Sequence, residues 1–163
     1  MTGFSALTGT AAAAGAAAPI EFLTATGAYE LVEGSSFVQH TIPLTLADFS
    51  GNALSIDAGD VLVAEAGLYT LDAFGQWSND APPTLLEVGW WDATGVIASI
   101  VRDTRMKPAN GPAGSTSNPN RDVPLDAGTR LRLRCIENGG VGFRVDVKAT
   151  VTKLGERPAL IVL

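Results

Sequence analysis

Phe143-Arg144-Val145-Asp146-Val147-Lys148-Ala149-Thr150-Val151-Thr152 alternates without a break. Phe143, Val145, Val147, Ala149 and Val151 fall on one side; Arg144, Asp146, Lys148, Thr150 and Thr152 fall on the other. A two-residue period is that of a β-strand with one face buried. The run 130–135 repeats it, with Leu131, Leu133 and Cys135 against Arg130, Arg132 and Arg134. The two runs flank Asn138-Gly139-Gly140, which predicts an antiparallel hairpin with one core face and one cationic face. In 69–77, Tyr69, Leu71, Ala73 and Trp77 share a side, and Thr70, Asp72, Phe74 and Gln76 share the other. Phe74 interrupts the polar side, as expected where a face meets another subunit or sheet.

Outward from these runs, short apolar stretches recur between Gly, Pro, Asn and Asp. Strands are expected at 20–24, 28–32, 36–42, 53–57, 60–65, 68–77, 84–91, 95–102, 129–136 and 142–154. No window from Ile20 onward carries a helical stripe, so the class is all-β. Short strands in this number are accommodated by two antiparallel layers, which gives an antiparallel β-sandwich of the jelly-roll kind. Residues 103–121 hold three prolines and two glycines, with Met106 as the single large apolar side chain. They read as a long contact loop.

Residues 1–18 contain eight Ala and three Gly, and Gly3, Gly9, Gly15 and Pro19 interrupt helix nucleation. Residues 1–25 therefore read as an extended Ala/Gly-rich N-terminal arm, with Phe4, Leu7, Ile20 and Phe22 as its candidate contacts. Residues 26–155 are the jelly-roll domain. Residues 156–163 are an apolar C-terminal tail ending in Leu160, Ile161, Val162 and Leu163, which is expected to pair with a sheet edge or lodge in a neighbour.

A chain of 163 residues suits one domain. Its single cysteine excludes an intrachain disulfide and a multi-cysteine zinc site. Residues 1–80 carry nine Asp/Glu and no Lys or Arg, whereas 81–163 carry all eleven Lys/Arg and eight Asp/Glu, giving −9 and +3. Such asymmetry suits contacts between unlike surfaces of neighbouring copies or a mixture of strands within one fold. An acidic chain is a poor binder of nucleic acid, and no partner of that kind is expected. Nor is a membrane span or a secretory signal.

The residues that carry chemistry elsewhere are sparse here. His40 is the one histidine, too few for a cupin-type metal site. No Gly-x-Ser-x-Gly elbow surrounds a serine, and no phosphate-binding glycine loop occurs. Cys135 alternates with leucines and reads as a buried hydrophobe. Asp57 and Asp60 flank Gly59 and read as turn residues. No enzymatic activity and no cofactor are expected. Trp90 and Trp91 should point to opposite faces, one into the core and one outward, where a tryptophan marks an interface. The cationic side chains Arg130, Arg132, Arg134, Arg144 and Lys148 would repel one another on one sheet and should face acidic surface of a neighbour.

Val61 to Trp77, with Ala66-Gly67-Leu68-Tyr69 at its centre, resembles the strand pair of the tumour necrosis factor and complement globular-head superfamily. Leu85-Leu86-Glu87-Val88 with the Asp92-Ala93-Thr94-Gly95 turn resembles that family's central hairpin. Val123 to Leu133 resembles a later strand, and Thr152-Lys153-Leu154 stands where its closing strand ends. Thr129 replaces the family's usual acidic residue, and the closing strand lacks its aromatic–small–glycine pattern around Phe143. The resemblance implies a jelly roll that assembles as a homotrimer and has no catalytic role. An Ala/Gly-rich arm leading into such a trimer resembles bacteriophage capsid decoration (cement) or head-fibre proteins. The expectation is a structural virion protein on the capsid surface, assembled in the host cytoplasm, with the major capsid protein as partner. A trimeric receptor- or glycan-binding module, using loop 103–121, is the alternative.

Overall fold

The computed structural model describes residues 19–30, 36–78, 85–94, 98–106, 113–138 and 144–156. The strands are β1 (Glu21–Glu30), β2 (Ser36–Thr41), β3 (Leu44–Ser50), β4 (Leu54–Asp57), β5 (Asp60–Val63), β6 (Gly67–Ser78), β7 (Leu85–Asp92), β8 (Ala98–Met106), β9 (Ala113–Leu125), β10 (Arg130–Asn138) and β11 (Arg144–Gly155). They form two antiparallel sheets. The first has the order β3-β1-β11-β6-β9; the second runs β4-β5-β10-β7-β8, with β2 also paired to β10. The architecture is an all-β sandwich, as the alternation predicts.

The alternation places each inner face. Leu23, Ala25, Leu71, Ala73, Val145, Val147, Ala149 and Val151 from the first sheet meet Val61, Val63, Val88, Trp90, Leu131, Leu133 and Cys135 from the second in one buried cluster. Burial of such side chains contributes on the order of 1.5–3 kcal/mol each, which makes this layer the main source of stability. Tyr29 of β1 stacks on His40 of β2 with ring centroids 4.3 Å apart, so the histidine bridges the sheets.

The Ala66-Gly67-Leu68-Tyr69 motif has a local cause. A Cβ on Gly67 would lie 2.7 Å from the Gly155 carbonyl oxygen, so only glycine lets β6 start beside the end of β11. Tyr69 is fully buried, and its hydroxyl donates to the Glu65 carbonyl at 2.6 Å, closing the turn into β6.

Four expectations are corrected. β10 and β11 do not form a hairpin: β10 lies between β5 and β7, and β11 between β1 and β6, in opposite sheets. Alternation fixes which side of a strand is buried but not its partner, and a jelly roll sends successive strands to opposite layers. Much of the expected loop 103–121 is strand: 103–106 end β8 and 113–121 belong to β9, while 107–112 lie outside the described residues. Pro119 and Pro124 are accommodated because β9 is an edge strand, where a missing N–H breaks no ladder. The expected strands 20–24 and 28–32 are one, β1. Finally, β3 lacked any signal, because as an edge strand it exposes most of its residues.

The arm boundary also moves. Leu23 and Ala25 are buried in the core, and the Glu21 carboxylate accepts from the Asn52 and Ala53 amides at 3.1 and 2.9 Å. Residues 21–25 are thus part of the sandwich. Phe22 sits half-buried in β1 and Ile20 is 69% exposed at its entrance. Phe4 and Leu7 lie outside the described residues, as do Leu160, Ile161, Val162 and Leu163.

Candidate assembly face

The outer face of the first sheet follows from register. Thr26 of β1 pairs with Lys148 of β11, which pairs with Phe74 of β6. One row along stand Thr24, Thr150 and Asp72; on the other side stand Ala28, Asp146 and Gln76. Thr24 and Thr150 meet through their hydroxyls at 3.3 Å. Thr24, Thr26, Ala28 and Thr150 are short, whereas Lys148, Gln76 and Arg144 are long, and Phe74 is 42% exposed among them. A shallow cleft of about 650 Å³ lies beside the ring, lined by Thr26, Ala28, Phe74, Gln76, Arg144 and Lys148 among others. Phe74 is one of five large hydrophobics exposed among the described residues, with Ile20, Leu46, Phe49 and Leu154.

The predicted cationic stripe is divided between the two sheets. Arg144 and Lys148 lie on this face, and Arg144 bonds Asp146 at 2.9 Å, with both side chains about half exposed. Arg130, Arg132 and Arg134 lie on the outer face of the second sheet. Arg132 forks onto Asp60 through Nε and Nη2 at 2.9 and 2.8 Å, and Arg130 bonds Asp57. Arg134 donates to the Gln39 side-chain oxygen at 2.7 Å. The acidic surface that the stripe needs is therefore supplied inside the chain by the β4–β5 turn. The bond to Asp60 raises the Arg132 guanidinium further above its usual range, against the opposing effect of its burial.

The same complementarity closes the end of the sandwich. Lys153 bonds Glu65 at 2.5 Å and Glu156 at 3.3 Å, and the Glu65 bond in particular lifts the ammonium above the ordinary lysine range. Three pairs thus join the acidic first half to the basic second half: Asp57–Arg130, Asp60–Arg132 and Glu65–Lys153.

The tryptophans take opposite faces as expected, but the outward one is covered. Trp90 enters the core fully, and Trp91, although on the opposite face beside Arg132, is only 4% exposed. The arginine directly across the ladder shares its patch of sheet, and long arginine stems cover apolar surface. Trp91 is therefore not an exposed contact residue; the exposed aromatics among the described residues are Phe49 and Phe74, and Phe74 is the one on the outward rows of β1, β11 and β6. Asp57-Ala58-Gly59-Asp60 is the expected turn, with Ala58 and Gly59 both at positive φ. Cys135 is buried and outside any disulfide. Among the described residues no group of three or more His, Cys, Asp or Glu is placed to hold a metal ion.

No protein-family model matches the chain, and no curated protein does. Solved structures do. An Eiger tumour necrosis factor from S. frugiperda superimposes with a TM-score of 0.61 at 13% identity, over 88% of this chain and 99% of that one. Murine APRIL superimposes with a TM-score of 0.61 at 12% identity, over 83% of this chain and 100% of the other. The fold is a tumour-necrosis-factor-like jelly roll over nearly its whole extent.

Proposed function

We propose that this chain is a non-catalytic assembly module, a homotrimer that decorates and stabilises a virion capsid. The observation that carries the assembly half is Phe74, exposed on the outer face of the β3-β1-β11-β6-β9 sheet beside its cleft. Packing this face against a second copy removes the ring from water, and the resemblance to trimeric jelly rolls sets the expected copy number. The virion half rests on the Ala/Gly-rich segment ahead of β1, which carries no charge in residues 1–18. An uncharged, small-residue segment suits a seam between capsid subunits, and three arms per trimer multiply weak contacts. The receptor- or glycan-binding alternative would rest on a shorter segment, since 113–121 are strand and 107–112 lie outside the described residues.

The test uses the structure to place the truncation. Removing residues 1–18 leaves Glu21, Leu23 and Ala25 in place, whereas cutting at 25 would damage the core. Full-length protein is expected to co-sediment with undecorated phage heads, and the truncated protein to remain in the supernatant with its folding midpoint unchanged. Equal binding by both forms would remove the arm from the account, and binding by neither would remove the capsid.

A further inference from the structure

Lys148 and Asp72 are opposite charges at diagonal positions of one ladder: Lys148 stands in the Phe74 row and Asp72 in the next. Diagonal neighbours lie roughly 7–8 Å apart at Cα, within reach of a lysine side chain. Yet among the described residues Lys148 makes neither an ion pair nor a hydrogen bond, and Asp72 Oδ1 is buried with no partner. Of the other charges on the face, Arg144 holds Asp146 and Asp48 accepts from the Phe49 amide, while Glu30 makes no ion pair among the described residues. A carboxylate oxygen removed from water without a donor is costly, and turning this half-buried side chain outward to meet a charged donor relieves that cost.

We propose that the two are partners between copies: Lys148 of one protomer bonds Asp72 of the next. This rests on the assembly reading above and specifies its register. Each copy contributes one donor and one acceptor on the same face, so a closed cyclic assembly leaves none unpaired. The pairing also places Phe74, which shares the row of Lys148 and neighbours Asp72 on β6, inside the contact.

Charge reversal with mixing tests the proposal. Asp72→Lys leaves two cations on the face and Lys148→Asp leaves two anions, so each variant alone is expected to run as a monomer. An equimolar mixture of the two is expected to form mixed oligomers that neither variant forms alone, because a contact between unlike chains again joins opposite charges, although a 2:1 trimer keeps one like-charged contact. A pair made within one chain cannot be rescued by mixing. If both single variants keep the wild-type mass, or if the folded variants stay monomeric when mixed, the pairing is wrong while the assembly reading stands. A monomeric wild type removes both. Should either reversal prevent folding, Asp72→Asn and Lys148→Gln replace them: each is expected to raise the dissociation constant, and the double variant to add little. Additive increases would overturn the pairing.

Discussion

Trp90→Ala is expected to lower the unfolding free energy by about 3–5 kcal/mol, the range for emptying a large aromatic site in a packed core. Trp90 is the largest fully buried side chain and lies across the ladder from Leu133, between the two sheets. The strands around it are tied into ladders on both sides, so the cavity has little freedom to collapse. For a domain of this size the midpoint should fall by roughly 10 °C or more. A second substitution separates volume from polarity. Trp90 Nε1 is buried without a hydrogen-bond partner among the described residues. Trp90→Phe keeps most of the ring and removes that unsatisfied donor, whose burial costs about 1–3 kcal/mol. Thermal or urea unfolding should therefore place Trp90→Phe much closer to wild type than to Trp90→Ala. Equal losses for both would mean that the indole N–H is not an internal liability.

Arg132→Ala is expected to cost about 2–3 kcal/mol, somewhat less than the figure for breaking a fully buried pair. Asp57 and Asp60 face each other directly across the β4–β5 ladder, an arrangement of like charges that destabilises a hairpin. Asp60 is 2% exposed, and the Arg132 fork neutralises it. Without Arg132, only Arg130 Nη1 remains near Asp60, at 3.7 Å. Asp60→Ala removes the buried charge itself and leaves both guanidinium groups partly in water, so its loss should be smaller than that of Arg132→Ala. Urea titrations of the two variants check the order. The reverse order would mean that the turn is held by packing rather than by neutralised carboxylates.

How far the sequence was readable follows from what each signal encodes. Alternation in 69–77, 130–135 and 143–152 identifies the buried side of β6, β10 and β11, because face is a property of a single strand. It is silent on which strand lies beside which, and so β10 and β11 were expected to pair although they belong to different sheets. Pro108, Pro112 and Pro119 signalled a loop over 103–121, yet Pro119 stands in the edge strand β9, because edge strands and loops tolerate proline for the same reason, an N–H that no ladder needs. Phe74 was legible as an apolar residue on a polar side. Asp72 and Lys148 were not legible as a pair. Only the β6–β11 register sets them diagonally, and only the absence of internal partners gives them significance. The arginines of β10 invited an external acidic partner, which the Asp57–Asp60 turn supplies from within.

The most direct test of the account is the solution mass of the full chain by sedimentation velocity across a dilution series, run beside Phe74→Arg. The account predicts three times the chain mass of 16.8 kDa for the wild type and the single-chain mass for a folded Phe74→Arg. A wild type that sediments as a monomer at every concentration, or a Phe74→Arg protein that stays trimeric, would contradict it.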